Sequence, residues 1–498
     1  MAARTGLLAF PNELLFQILD HVHDGGQDTD SVHAVIRTCK ALKPMAEACL
    51  YSSITLLKRS QLKPLTACLE ADPVRKTYIR DLQLPWSTRL YEFGESAPLD
   101  LCSLPGLTSF VSESPFCNAH YRYQEDRVED WINVMESYLR GFERASLLSN
   151  SGTLGERPLK NLRHLTLHWT GGDDGGRTER FWPITPSCPV FLMPSLHSLE
   201  ISCVYIKSSV PGESKSNWAA EILPFARRTN LKSLIITRGG IPAEALLAIL
   251  ALPKALETFI LREAVPHRES GPGSVATEQM DIFQQAIAQQ SETLKMLHIQ
   301  RNRRSSTQRQ LSIDLSGFQS LSEFHVGPYI SDRVFVWKLS DPMPPMLTRL
   351  RLMECFVPDM AYWHQFRSDV LLDDLVGLAR VRNAAVHLDI VLRKVVTMGN
   401  WRHGLRDIGE DFRARYLASG EQLESSPPPE ATAQPRLRFF TVGRSGYSPP
   451  YLYHERSPRS TLFYDSSNPR GFVDNDDDDD SSSFVVNFDA ADMLVEVD

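Results

Sequence analysis

One short pattern, Leu-x-x-Leu-x-Leu, recurs through the middle of this chain and limits its fold more than any other feature. It runs as Leu162-x-x-Leu165-x-Leu167, Leu196-x-x-Leu199-x-Ile201, Leu231-x-x-Leu234-x-Ile236 and Leu256-x-x-Phe259-x-Leu261. It continues as Leu294-x-x-Leu297-x-Ile299, Leu321-x-x-Phe324-x-Val326 and Leu347-x-x-Leu350-x-Leu352, with weaker copies at Ile79-x-x-Leu82-x-Leu84 and Leu107-x-x-Phe110. Residues two apart share one face of a strand, so each copy predicts a short strand with its apolar residues inward. One such strand cannot bury that face alone, but stacked neighbours share a continuous core. Helical patterns at Asp130 to Leu148, Ala219 to Ala226, Ala243 to Leu250 and Met280 to Ile287 supply a second, convex layer. The fold class that follows is α/β.

Successive copies start 34, 35, 25, 38, 27 and 26 residues apart, a range centred on leucine-rich repeats. The Asn expected three residues after the last apolar position occurs only at Asn302, and Cys355 takes that place once. The array, expected over residues 70–420, is therefore a degenerate solenoid of uneven curvature. An ordinary α/β domain whose strands read this way is the alternative.

At 498 residues the chain exceeds what one hydrophobic core serves. An apolar fraction of 42% with 23% charged residues is an ordinary soluble composition. A net charge of −8 gives no concentrated basic surface, so no nucleic-acid partner is expected. No stretch approaches the roughly 18 apolar residues of a membrane span, and MAARTGLLAF is too short for a signal peptide. The eight cysteines contain no CxxC pair, which points to buried free thiols in a reducing compartment, cytoplasm or nucleus.

No cofactor, metal or catalytic residue is expected. Gly171-Gly172-Asp173-Asp174-Gly175-Gly176 lacks the Lys-Ser/Thr of a phosphate loop. His21, His23, Asp24, Asp28 and Asp30 fit no calcium or zinc spacing. Gly443-Arg444-Ser445-Gly446 falls short of a nucleophile elbow. Arg301-Asn302-Arg303-Arg304 reads as a solvated basic turn. Residues 421–434 form a Pro-rich linker or loop, and 435–470 hold apolar residues that can add cap strands. Residues 471–498, with Asp476–Asp480, form a self-repelling acidic tail expected to be disordered.

Near the start, Pro11 suits the first position of a helix. Leu14, Leu15, Ile18, Leu19 and Val22 follow on a broad apolar face. Ser31 can cap a second helix carrying Val32, Val35, Ile36 and Cys39, and Pro44 starts a third with Met45, Ala48 and Cys49. Tyr51 to Leu56 reads as extended. Three short helices cannot bury so many apolar groups among themselves, and the surplus predicts a partner surface or a covering domain.

Phe10-Pro-Asn-Glu-Leu-Leu-Phe-Gln-Ile-Leu-Asp-His-Val resembles the opening of the F-box, Leu-Pro-x-Glu-Leu-Leu-x-x-Ile-Leu, with Phe10 in place of Leu. Val35-Ile-Arg-Thr-Cys-Lys-Ala-Leu42 is similar to its second block, Leu42 standing where an aromatic is usual, and Leu50 to Leu56 resembles its exit. The resemblance covers residues 1–56. An F-box followed by leucine-rich repeats is a familiar domain order, in fungal proteins especially.

The resemblance implies a substrate-recognition subunit of a Skp–cullin–F-box ubiquitin ligase that does no chemistry itself. The Skp-type adaptor, and through it a cullin–RING ligase, would be held by Pro11, Leu14, Leu15, Ile18, Leu19, Val22, Val35 and Cys39, with Leu15 and Leu19 as anchors. A repeat scaffold with no part in ubiquitination is the other reading. In the repeats, the residue between the last two apolar positions points to the concave side. That column, expected to meet a protein substrate, is Thr166, Glu200, Ile235, Ile260, His298, His325 and Arg351, an exposed apolar centre passing to a cationic end.

Overall fold

A computed structural model describes residues 10–23, 29–85, 98–114, 125–149, 157–169, 181–206, 218–263, 276–301, 311–327, 337–339, 343–355, 387–393, 414, 437–442 and 460–465. The chain opens with α1 (Asn12–His23), α2 (Thr29–Thr38) and α3 (Lys43–Ser52). Pro11 sits one residue before α1, where its carbonyl accepts from the Leu14 and Leu15 amides. It acts from the cap position, one residue earlier than expected. Ser31 lies inside α2 rather than capping it.

The three helices close a small core of their own around Leu19, Val32, Ala46 and Cys49. Helix α3 runs straight into β1 (Ser53–Thr55), followed by α4 (Leu62–Ala71) and α5 (Arg75–Tyr78). Arg75 fixes the junction: it pairs with Glu47 at 3.0 Å and lies over the Tyr51 ring at 5.3 Å. The segment expected as the exit of the helical module thus becomes the first strand of the sheet that follows.

The strands continue as β2 (Asp81–Pro85), β3 (Ser109–Glu113), β4 (His164–His168), β5 (Trp182–Pro183), β6 (Ser198–Ser202), β7 (Val204–Tyr205), β8 (Ser233–Gly239) and β9 (Thr258–Glu263). Next come β10 (Met296–Gln300), β11 (Leu311–Ile313), β12 (Glu323–Gly327), β13 (Trp337–Leu339), β14 (Arg349–Cys355), β15 (His387–Arg393), β16 (Leu437–Val442) and β17 (Ser460–Asp465). Among the described residues, thirteen form one sheet in chain order, omitting β5, β7, β11 and β13. Every pairing in it is parallel except β16 with β17. The omitted strands pair as β5–β7 and β11–β13. The protein is mixed α/β around a large parallel sheet.

Register explains why the repeat works. Leu82, Phe110, Leu165, Leu199, Leu234, Phe259, Leu297, Phe324 and Leu350 are successive Cα partners and all are buried. They join one core with α6 (Glu125–Ala145), α8 (Ala243–Leu250) and α9 (Met280–Ala288); Ile222 of α7 (Trp218–Ile222) is buried with them. Trp131, Tyr138 and Phe142 of α6 pack against Phe110 and Trp169. Helices α8 and α9 match the expected spans almost residue for residue.

The missing Asn ladder has a replacement on the other side of the strands. In five units the residue just before the opening Leu sends its side chain to a carbonyl of the preceding unit; Gly106, Ala255 and Met346, at the same place elsewhere, cannot. Asn161 donates to Pro105, Ser195 to Leu159, Asn230 to Pro194, Thr293 to Leu256 and Ser320 to Glu292. Several residue types do the same work, which is why no single letter repeats.

Cys49, Cys188 and Cys203 are buried, but Cys68 is exposed, and Cys39 and Cys102 are half-buried. Arg301 is buried rather than solvated. The glycine-rich stretch at 171–176, the linker at 421–434, residues 443–446 and the tail at 471–498 lie outside the described residues. Among the described residues, no helix is long and apolar enough to cross a membrane.

Candidate functional site

Two surfaces collect the residues the sequence singles out. On α1, Leu15 and Leu19 form the inner stripe, 3% and 4% exposed. They are core residues, so the expectation that they anchor a partner directly is corrected. Leu14, Ile18 and Val22, spaced by four, stand on one flank at 44%, 40% and 36% exposed, with Phe10 in front of them at 50%. Phe16, not singled out beforehand, is exposed on the other flank. Pro11 is exposed, Val35 is half-buried against the small core, and Cys39 is half-buried.

The second surface is the face of the large sheet turned away from the helices. Val111, Thr166, Glu200, Ile235, Ile260, His298, His325, Arg351, Asp389 and Arg438 are consecutive partners there, so the expected column is contiguous. Ile235 and Ile260 are half-buried, not fully open, and His298 and His325 are buried. The column extends past Arg351 to Asp389 and Arg438, which no copy of the repeat pattern marks.

At the β3–β6 end, His168 lies between two carboxylates. Its Nδ1 is 3.2 Å from Glu113 Oε1 and its Nε2 is 3.2 Å from Glu200 Oε1. Burial works against a charged imidazole, but the two hydrogen bonds outweigh it and hold the pKa up at about 9. Glu200 is lowered, chiefly by its hydrogen bond from His168. With both ring nitrogens engaged, His168 has no lone pair to accept a substrate proton and acts as a charged clasp.

At the β9–β16 end the sign reverses. Arg438 donates to both carboxylate oxygens of Asp389 at 2.7 and 2.8 Å, and Arg349 stands 3.5 Å from both Asp389 and Glu323. Arg351 lies over the Phe440 ring at 5.0 Å. His298 and His325 are held neutral: burial lowers both, and Arg262 and Arg351 add to it. With both histidines neutral, the cationic end of the column rests on arginines. Glu113, His168, Arg262 and Arg349 escaped the single-column reading, although they sit two residues along the same strands and the same alternation reaches them.

Among the described residues no group of three His, Cys, Asp or Glu is placed to hold a metal ion. A separate cleft of about 480 Å³ lies between the Asp100 turn and α6, lined by Leu99, Ser137, Tyr138 and Arg140 and bordered by the Arg144–Asp100 pair at 3.4 Å. Comparison with protein-family models, with curated proteins and with solved structures returns no match for this chain.

Proposed function

We propose that this protein is a substrate-recognition subunit of a Skp–cullin–F-box ubiquitin ligase, with its body a degenerate leucine-rich-repeat solenoid. The observation that carries the reading is the exposed ridge of Phe10, Leu14, Ile18 and Val22 on a helical module whose own core is already closed. Exposed apolar groups in a row mark a docking surface. The Skp-type adaptor would take that ridge, and the open face of the sheet would take a protein substrate. The subunit then acts by proximity, raising the effective concentration of substrate near a charged ubiquitin carrier.

Co-expression with a Skp-type adaptor tests this directly. The wild-type chain should co-elute with the adaptor, and Leu14→Asp with Ile18→Asp should release it while the helical circular dichroism persists. A double variant that still holds the adaptor at full strength sinks the F-box reading and leaves a free-standing repeat scaffold.

A further inference from the structure

We infer that the open face of the large sheet takes an extended partner segment crossing the strands. A carboxylate of that segment seats among Arg262, His298, His325 and Arg351, and its aliphatic side chains lie over Ile235 and Ile260. This deepens the proposed substrate role and rests on that face being the substrate face.

The first observation is charge polarity. On the outward columns of β2 to β6 the acids are Asp81, Glu113 and Glu200; on β9 to β16 the arginines are Arg262, Arg349, Arg351 and Arg438. Glu323 and Asp389 stand beside Arg349 and Arg438, and the charged His168 stands between Glu113 and Glu200, so each end keeps a net excess of its own sign. A partner matching this face must be acidic at one end and basic at the other, because complementary potentials set register and exclude wrong partners.

The second observation is independent of it. His298 is buried, and its Nε2 has no hydrogen-bond partner. His325 on β12 is its register partner, Arg351 on β14 is next in the same column, and Arg262 lies two residues along β9 from its other partner Ile260; all three act on it electrostatically. A buried polar atom left unmatched is costly, and an arriving carboxylate oxygen can accept from Nε2–H where nothing in the described chain does. Guanidinium groups on both sides suit the planar carboxylate.

Geometry then fixes the spacing. Glu200 on β6 and His325 on β12 are four strand steps apart in the sheet, about 19 Å at ~4.8 Å per step. An extended segment covers that in about six residues at ~3.3 Å each. The segment should carry Lys or Arg toward Glu200, aliphatic residues in the middle, and Asp or Glu about six positions away.

The test is a random peptide library displayed against the full-length chain, followed by calorimetry on individual selected peptides. Enrichment of Asp or Glu about six residues from Lys or Arg, with aliphatics between, is the expected result. Replacing the acidic residue of a selected peptide by Gln or Asn should weaken binding tenfold or more. Arg262→Gln with Arg351→Gln should do the same from the protein side. The peptide substitutions keep the test decisive should that double variant not fold. Selection without acidic preference, no selection at all, or binding only to phosphorylated peptides overturns the inference. Adaptor co-elution separates it from the ligase reading: a chain that selects these peptides but ignores the adaptor loses only the latter. One that holds the adaptor and selects peptides indifferent to charge loses only this inference.

Discussion

His298 and His325 face one another in register on β10 and β12, their ring centroids 5.4 Å apart and their planes inclined at 58°. Both are buried within reach of the same arginines, so neither can take a proton without bringing like charges together in a poorly hydrated place. His325 is lowered to about 4, first by burial and then by Arg351 and Arg349.

Acid sensitivity follows from that pair. Below about pH 6.5 the unfolded chain binds protons on these two histidines that the folded chain does not, His325 down to about pH 4. Their contribution is complete above pH 6.5 and is lost as pH falls below it. Melting temperatures measured from pH 7 to 5, above most carboxylate titration, should fall. The fall should be shallower in His298→Phe with His325→Phe, and identical slopes would show that the pair does not titrate as described.

His168 gives the opposite slope on the other side of neutrality. Its folded pKa of about 9 lies above the unfolded value near 6.5. Stability from the charged imidazole is therefore fully present below pH 6.5 and lost as pH rises through 9. The shift corresponds to roughly 3 kcal/mol. Denaturant titrations at pH 7, 8 and 9.5 should show the loss in the wild type and little of it in His168→Gln, which is weaker throughout because Glu113 stays buried without its cation.

Much of this architecture is legible in the sequence because a strand packed on one face writes its inward residues two apart. Leu165 with Leu167 and Phe259 with Leu261 are read that way, and the register then places Glu200 beside Ile235 without further assumption. Strands β5 and β7 are invisible for the same reason: two residues cannot show a period. Strand β15 alternates at Leu388 and Ile390 but has no Leu three residues before, so the repeat pattern passes over it. On α1, periodicity gives a broad apolar arc but not which half turns inward. That is settled by Val32 of α2 and by Ala46 and Cys49 of α3, which claim Leu19.

Gly327 sits where β12 and β14 approach closely. A Cβ there would lie 2.7 Å from the Met353 Cβ and 3.0 Å from its carbonyl oxygen, next to the register shift in β14. Backbone cannot yield as a side-chain tip can, so β12 and β14 must part. Gly327→Ala should lower stability by about 1–3 kcal/mol, as overpacking does. A urea midpoint equal to that of the wild type would mean that β14 relaxes freely at this point.

Gln290 is a buried side-chain amide with several partners. Its Oε1 accepts from the Leu256 amide at 3.0 Å, and its Nε2 donates to the carbonyls of Leu250 and Pro253 at 2.8 and 3.2 Å. One side chain thus holds both the end of α8 and the entry to β9. Gln290→Leu keeps the bulk and strips these bonds, leaving buried backbone groups unmatched at about 1–3 kcal/mol each. Hydrogen exchange should quicken at Leu256 and through the turn before β9, with the β3–β4 amides unchanged. Uniform exchange across the sheet would place Gln290 outside the support of that turn.

The division of labour on α1 makes the sharpest comparison, because adjacent leucines are assigned opposite roles. Leu19, at 4% exposed, packs on Val32, Ala46 and Cys49, whereas Leu14 and Ile18 are 44% and 40% exposed. Truncating a buried Leu removes its transfer energy and leaves a cavity, so Leu19→Ala should destabilise the helical module by about 2–5 kcal/mol. Leu14→Ala and Ile18→Ala remove exposed side chains outside the small core, and should shift stability by much less, about 0.5 kcal/mol. In an adaptor pull-down the order reverses for folded protein: the outer pair should lower affinity by about 2 kcal/mol each where they act as hot spots. Leu19→Ala should lower it only in proportion to the module it unfolds, and added osmolyte should restore it. Binding lost in Leu19→Ala while the helices stay folded would return Leu19 to the contact surface and reverse the inward assignment of this stripe.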